Sequence, residues 1–459
     1  MSEEATLNDF ADDRVRDSSN TGGSPNELEQ EQFGPFTLST PGEWTGKRLG
    51  DVKELITRGK QPTYDDDGVP VINQECIYWD GWRFENLRHL DEEVAEGWKS
   101  KYFPQAGDIA LNSTGQGTLG RAQVYSDDER RAIDSHVTLL RTEDELNPYF
   151  HRYFLESPLG QALLYSMCVN GSTGQIELSK TRLDLFPIPI PPLEEQRKIA
   201  TVLYTVDQAI QKTEKAITQF GRVKQGLYQN LFSEGYEQHN QFESSKYGRV
   251  PSSWKIAKLS EVTSQIQAGG TPDTDVAEYY GGDIAWVKTG ELSQYRVTKT
   301  EQSITEKGLK ESTARLFSPG TILIAMYGAT TGEVSLLEIE AATNQACCGV
   351  ITTDKMVSEF LFHQLKYFSD RLVSLSAGSG QQNISKGIIE KFDVLVPPVQ
   401  EQKSIVSVLN NVDESIAENE IAKRQYQRLK QGLMQDLLSG IVRTHETDIE
   451  VPEAVLAQG

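Results

Sequence analysis

The sequence predicts an α+β protein written twice: two compact α+β domains, each followed by a long helix, with the two helices antiparallel about an internal pseudo-twofold axis. Three observations carry that expectation. First, "PPLEEQRKIATVLYTVDQAI" from Pro191 returns as "PPVQEQKSIVSVLNNVDESI" from Pro397. Aligned without a gap at an offset of 206, Pro191–Ser233 and Pro397–Ser439 agree at about 21 of 43 positions, far beyond chance for an internal repeat. Second, apolar residues in both copies recur at heptad spacing. Third, the blocks preceding the copies share landmarks but differ elsewhere, with short alternating strand-like runs ("DIALNS", "GTILIAMYG", "FDVLVPP") between glycines and prolines.

In the first copy Ile199, Val206, Phe220 and Leu227 form one row, Val202, Ala209, Ala216 and Val223 the next, and Leu203, Ile210, Ile217 and Leu231 widen the stripe. The second repeats it with Ile405, Val412, Tyr426 and Leu433, then Val408, Ala422 and Leu429, then Leu409, Ile416 and Leu437. Pro-Pro, tolerated only at a helix start, opens each copy. About forty residues at 1.5 Å each reach roughly 60 Å, so a lone helix would leave its stripe wet. The nearest partner is the other copy, and isologous pairing of equivalent segments runs them antiparallel. The helix–helix interface is thus expected at Ile199, Val202, Val206, Ile210, Phe220, Leu227, Ile405, Val408, Val412, Ile416, Tyr426 and Leu433.

The preceding blocks match at Trp44, Leu49 and Val52 with Trp254, Leu259 and Val262, around Gly107 with Gly320, and at "GQIELSK" with "GQQNISK". "INQECIYWDGWRFENL" has no close echo in "AWVKTGELSQYRVTKT". The division that follows is an acidic, disordered tail (1–40), a first α+β domain (41–190), helix (191–235), linker (236–250), second domain (251–396), helix (397–443) and a second acidic tail (444–459). "DSSNTGGSPNELEQEQ" is too polar to order itself by burial.

The 459 residues exceed what one core usually serves. Mean hydropathy of -0.48 and the lack of a long apolar run predict a soluble chain, and "MSEEATLNDFADD" is no signal core, so a cytoplasmic location is expected. Net charge is -22, which opposes phosphate binding at first sight. Yet about ten acids and two bases lie up to Glu43, and about four acids follow Arg443, leaving the middle only mildly acidic. Such acidity also suits a salty cytoplasm. Cys76, Cys168, Cys347 and Cys348 form no metal-ligand or Cys-x-x-Cys spacing and read as reduced, buried thiols.

Catalytic signals are weak. "GQGTLG" from Gly115 fits a dinucleotide fingerprint formally, but strand-like "RAQVYS" follows it where a helix N-terminus is needed. It reads as a turn. "NPYF" at Asn147 lacks the second proline of the tetrapeptide with which amino-methyltransferases grip a base; Asn147 and Pro148 instead suit a helix start. No P-loop or Ser-His-Asp spacing occurs. A non-catalytic, two-headed scaffold is expected.

Recognition then belongs on loops. In the first head the candidates are Arg58, Lys60, Gln61, Asn73, Gln74, Ser113, Thr114, Gln116, Gln175, Ser179 and Lys180; in the second, Thr271, Lys288, Thr289, Tyr327, Thr330, Thr331, Gln381, Gln382, Asn383 and Lys386. Amides pair with adenine edges and Arg or Lys with guanine, while hydroxyls and loop N–H groups hold phosphate.

The duplicated "PP..EQ" helices, each with "VD" after V-L and "KQGL" near its end, the "W...LG" opening, "GGTP" and "WVKTG" together resemble the specificity subunit of type I restriction-modification systems, from about residue 41 to 443. The resemblance implies that 41–190 and 251–396 are target recognition domains, each reading one half of a split, asymmetric DNA site, with the helices as spacers and docking surfaces for two modification subunits. It implies adenine methylation with S-adenosylmethionine by those partners and ATP- and Mg-dependent cleavage by a restriction subunit, with no cofactor on this chain. The main alternative is a non-DNA scaffold or adaptor that dimerises through the repeated helices; a methyltransferase with fused recognition domains is disfavoured by the missing methyl-donor loop.

Overall fold

The computed structural model describes residues 28–33, 36–171, 176–375 and 383–456. Four helices organise it: α1 (Pro148–Glu156), α2 (Leu193–Ser233), α3 (Ser358–Tyr367) and α4 (Val399–Leu438). The chain divides into two compact units, Met1–Glu214 with Ile421–Gly459, and Lys215–Glu420. Each unit therefore holds one head, the opening half of the helix after it and the closing half of the other long helix.

In unit 1 the main sheet is built of β1 (Lys53–Arg58), β2 (Ile109–Asn112), β3 (Ala122–Val124) and β4 (Val137–Thr142), ordered β3-β2-β4-β1 and antiparallel throughout. All four residues of β2 are buried, as its continuous apolar run requires for a central strand. A second sheet sets Val69–Ile72 parallel to Ala132–Ile133 and antiparallel to Arg88–Leu90. A ribbon of Thr45–Arg48 against Pro187–Ile190 then joins the head's two ends, which delivers Pro191 and the start of α2 beside Trp44.

Unit 2 repeats the plan. Strands β5 (Thr263–Ala268), β6 (Ile322–Ala325), β7 (Val334–Leu337) and β8 (Cys347–Thr352) run β5-β8-β6-β7, and Arg296–Val297 adds a parallel edge to β7. Tyr280–Val287 lies parallel to Ala341–Thr343, and Lys255–Lys258 pairs with Asp393–Val396 to close the head before α4.

Each head shares a core with both helix halves of its unit. Trp44, Phe150, Phe154 and Phe186 pack in one cluster with Ile199 and Leu203 of α2 and Met434 and Leu437 of α4. Trp254, Phe360 and Phe392 do so with Tyr228 and Phe232 of α2 and Ile405 and Leu409 of α4. Burial of each such side chain contributes about 1.5–3 kcal/mol, so head and helices are held as one body within each unit.

Within unit 1 the helix halves run antiparallel: Lys430 meets Asp207 at 2.7 Å and Lys423 meets Glu214 at 2.9 Å, so partner numbers fall on α4 as they rise on α2. Within unit 2, Lys224 of α2 pairs with Asp413 of α4, and the Tyr236 amide donates to Glu401 at 3.1 Å. Lys224 precedes Lys430, and Asp207 precedes Asp413, by the repeat offset. One lysine–aspartate contact is thus made twice, as isologous pairing predicts.

The expected interface residues divide by position. Ile199, Val206, Ile210 and Ile405 are buried; Val202, Phe220, Leu227, Val408, Val412, Ile416 and Leu433 are half-buried; Tyr426 is 37% exposed. Ile199 and Ile405 lie in clusters shared with the heads, so the stripe does more than join helix to helix.

Two segments expected to be loose are ordered. Leu28–Phe33 and Phe36–Pro41 form an antiparallel hairpin. At the other end Val455 is fully buried in the unit 1 core, and the Asn147 side chain donates to its carbonyl at 3.1 Å. The acidic residues around Val451 and Val455 face outward from a docked segment, which composition averaged over the tail conceals.

Candidate nucleic-acid interface

The shared helix motif explains how each head is aimed. In unit 1 Glu195, 1% exposed on its side chain, accepts from Trp44 Nε1 at 3.1 Å, from Arg443 at 2.8 and 2.9 Å, and from the Thr444 amide at 3.2 Å. Burial alone would raise its pKa, but Arg443, the Thr444 amide and the Trp44 indole outweigh it and lower the carboxyl below its ordinary value. Gln196 receives the Asn147 amide at 2.8 Å and donates to the Glu145 and Pro191 carbonyls, clamping the entry to α1 onto α2. In unit 2 Glu401 takes Trp254 Nε1 at 2.9 Å and His239 Nε2 at 2.8 Å, and Gln402 takes the Val357 amide at 2.8 Å.

The aspartate of "VD" makes the next joint. Asp207 accepts from Arg152 Nη1 and Tyr153 Oη, each at 2.9 Å, as well as from Lys430. Asp413 accepts from Tyr295 Oη at 2.7 Å and from Lys224. His363 of α3 joins this second set, with Nδ1 3.0 Å from Tyr295 Oη and Nε2 3.1 Å from Asn410 Oδ1. Burial drives its pKa down to about 4, which keeps it neutral in the network.

On this frame each head gathers several loops. In unit 1 the Gly59 amide bonds the Val137 carbonyl, the Ser113 amide the His136 carbonyl and the Leu178 amide the Ser113 carbonyl, at 2.8–2.9 Å. The segments after β1, after β2, before β4 and before Ser179 therefore meet. In unit 2 Gly269 bonds Cys347, Met326 bonds Ala346 and Ile384 bonds Met326, between 2.7 and 3.0 Å. The same backbone lattice recurs with different side chains upon it.

Several candidates are committed to that lattice. Arg58 is ion-paired to Glu177 at 2.9 Å and donates to the Leu178 carbonyl at 3.0 Å. Asn73, 4% exposed, caps a short helical turn and bonds the Asn86 carbonyl. Ser113 is buried against Thr138. Gln74 accepts from Thr118 at 3.4 Å, and Thr114 bonds His136 Nδ1 at 2.7 Å. Others project. Lys60 is exposed 5.1 Å from the Trp98 ring centre, Gln61 is exposed and accepts from Ser135 at 2.6 Å, and Gln116 and Lys180 are exposed, with Ser179 half-buried beside Thr181.

In unit 2 Thr271 donates to Gln345, Lys288 lies 5.8 Å from the Trp286 ring centre, and Thr331 donates to the Gly328 carbonyl at 2.7 Å. Thr289, Tyr327 and Thr330 are half-buried; Asn383 and Lys386 are exposed, with Lys386 3.4 Å from Glu390. Gln175, Gln381 and Gln382 lie outside the described residues.

The segment before β4 and β8 was overlooked from sequence. In unit 1 it reads Asp134-Ser135-His136, in unit 2 Asn344-Gln345-Ala346; Asp134 and Asn344 each accept the amide two residues on, at 2.8 and 3.1 Å. Burial pushes the Asp134 carboxyl above its ordinary value, opposed by the His136 amide and the Tyr64 hydroxyl. Its signal was the short polar gap between the strand-like "RRAI" and "VTLL", which carries no glycine, lysine or arginine and so resembled an ordinary turn. Arg121 was also missed; its Nη2 donates to the Gly117 carbonyl at 2.8 Å and steadies the loop between β2 and β3. That loop contains "GQGTLG" and joins two strands, and Asn147 caps α1, so both motifs serve the turn and cap roles expected of them.

The arrangement offers amide, hydroxyl, imidazole and ammonium groups on braced loops, which is the chemistry of hydrogen-bonded recognition. Among the described residues no group of three or more His, Cys, Asp or Glu is placed to hold a metal ion, and no helix is long and apolar enough to cross a membrane. All four cysteines are free and buried.

The family model described as the type I restriction modification DNA specificity domain matches residues 41–219 and again 251–431. A putative type I restriction enzyme MjaX specificity subunit of Methanocaldococcus jannaschii is 25% identical over 410 residues, 88% of this chain and 94% of the relative. The MjaVIII specificity subunit of the same organism is 25% identical with the same two coverages. Among solved structures, the type I restriction-modification S subunit from M. genitalium aligns over 86% of this chain and 96% of its own, with a TM-score of 0.59 at 15% identity, a likeness of fold.

Proposed function

From the premise that the chain belongs to the type I restriction-modification DNA specificity family, we propose that it is the subunit that reads DNA for such a complex, addressing a bipartite, asymmetric site. It supplies no catalysis itself. The observation that carries the asymmetry is the pair of equivalent loop frames bearing unlike groups: Ser135 and His136 in one head, Gln345 and Ala346 in the other, and Thr114 with Gln116 against Tyr327 with Thr330. Equal frames present loops alike; unequal side chains then favour different bases.

The long helices act as spacers in this reading, because α2 and α4 each run unbroken from one unit into the other and bind the adjoining head through Glu-Gln and Asp contacts. Two modification subunits would dock along them and methylate adenine with S-adenosylmethionine, while a restriction subunit would supply ATP- and Mg-dependent cleavage. None of these cofactors is assigned to residues of this chain.

The test is binding and methylation by the chain together with modification subunits. One asymmetric split sequence is expected to be preferred over other duplexes at matched salt; equal binding to all sequences would end the proposal. Adding about four residues, roughly one helical turn, to both helices should change the gap and neither half-site. A changed half-site with an unchanged gap would place base reading in the helices.

A further inference from the structure

Unit 2 contains a half-open cavity of about 430 Å³. Lys246, Arg371 and Lys391 line it, and Asp393 is its one carboxylate among the described lining residues. Lys246 is ion-paired to Asp393, while Arg371 Nη1 donates to the Lys246 carbonyl at 2.6 Å with its guanidinium 4.4 Å from the Tyr247 ring centre. Lys258 stands directly opposite Asp393 in the ribbon that closes the head. Three cations thus line the cavity beside one carboxylate, with a fourth across the ribbon from it, in a chain whose net charge is -22. Burial, then the charge of Arg371, lowers the pKa of Lys246.

The first head differs here: Arg48 stands opposite Pro187 and Lys53 is paired with Asp184, but no cation takes the Lys391 position. At the repeat offset, Leu185 stands in place of Lys391 and Pro187 in place of Asp393, and Leu185 is 50% exposed. A cation at the Lys391 position in one head only serves a local ligand better than general solubility, for which this chain relies on acids.

The cavity adjoins the reading loops. Its rim includes Ser385 and Gly387, in the same short stretch whose Ile384 amide is bonded at 2.7 Å to the Met326 carbonyl of the loop after β6. An anionic strand passing that loop would run on to the cavity mouth. We propose that this cavity seats a backbone phosphate of DNA beside the half-site read by the second head, with Lys391 and Arg371 meeting its oxygens and Lys246 held back by Asp393. The inference rests on the DNA-reading function above and adds a contact that sets affinity and register, not base choice.

The test compares the unsubstituted chain, complexed with its modification subunits, with Lys391→Gln and Lys391→Glu. Lys391 is exposed at the cavity edge, so folding is expected to survive, and Lys310→Gln, at an exposed pair with Glu306 that does not line the cavity, serves as control. Binding to cognate and non-cognate duplexes is measured across salt concentrations. Loss of one phosphate contact should make the slope of log K against log salt shallower by about 0.9 for Lys391→Gln, equally on both duplexes, with no change for Lys310→Gln. An unchanged slope with site preference retained would overturn the phosphate seat while leaving the function intact. Failure of the unsubstituted complex to prefer any site would overturn the function itself, and this inference with it. Phosphorus NMR with inorganic phosphate separates the other source: phosphate bound by the chain and lost in Lys391→Glu, with the DNA slope unmoved, would assign the seat to free phosphate and overturn the DNA contact.

Discussion

Replacing Glu195 with Ala should loosen the joint between the first head and the long helices more than any other single truncation on the shared motif. The carboxylate is nearly sealed from water and receives the Arg443 guanidinium, the Trp44 indole and the Thr444 amide. Removing it leaves a cation that is 10% exposed with only the exposed Glu43 as a partner, and deprives two further donors. Breaking a buried pair costs about 3–5 kcal/mol, and the remaining contact to the exposed Glu43 offsets little of it. The corresponding Glu401→Ala deletes hydrogen bonds from Trp254, His239 and the Tyr236 amide with no arginine involved, so a smaller loss of roughly 1–3 kcal/mol is expected. Since the two units need not unfold together, hydrogen exchange resolved by peptide is the proper assay. Glu195→Ala should raise exchange in the first turns of α2 and around Thr444 by two to three orders of magnitude, and Glu401→Ala should do less in α4. Because the folded pKa of Glu195 is depressed, its contribution is complete above about pH 4.5 and fades as pH falls through the lowered value. A loss under about 1 kcal/mol, or equal effects at the two glutamates, would refute the reasoning.

Two further outcomes follow from the same joints. His363 is held neutral with a pKa near 4, so the unfolded chain takes up a proton that the folded one refuses: stability is intact above about pH 6.5 and falls by roughly 3 kcal/mol toward pH 4, and His363→Gln should flatten that slope in pH-dependent exchange of α3. Gly440 has φ +73°, and a Cβ there would lie 2.4 Å from Pro41 Cγ, so Gly440→Ala should destabilise unit 1 by about 1–2 kcal/mol or more, read as a lower midpoint in urea; a neutral result would mean the turn can relax.

Much of the scaffold was legible because its signals are local or periodic. The heptad stripe, the opening Pro-Pro and the exact repeat spacing marked α2 and α4, and Asn147-Pro148 marked α1. What those helices hold was not legible. Trp44 and Trp254 were visible as matching landmarks, but their common acceptors, Glu195 and Glu401, lie about 150 residues away and only the fold joins them. Tyr426 shows the limit of periodicity: it keeps the heptad row yet is partly exposed, since heptad position does not say where along a helix the packing density lies. Val455 shows the limit of composition, because one buried valine suffices to dock a tail that reads as acidic overall. In the reading loops, residue type alone could not separate Asn73 and Ser113, consumed by structure, from Gln116 and Lys60, which project; that distinction depends on distances of a few ångströms between segments remote in sequence.

The most direct measurement maps methylated adenines in DNA from cells carrying the complex, with the native chain and with one whose first head bears Gln116→Ala and Lys60→Ala. Native methylation should define one split sequence with unlike halves, and the doubly substituted chain should relax one half while leaving the other half and the gap as they were. Methylation that changes in both halves together, or in neither, would contradict the division of reading between two separately framed heads.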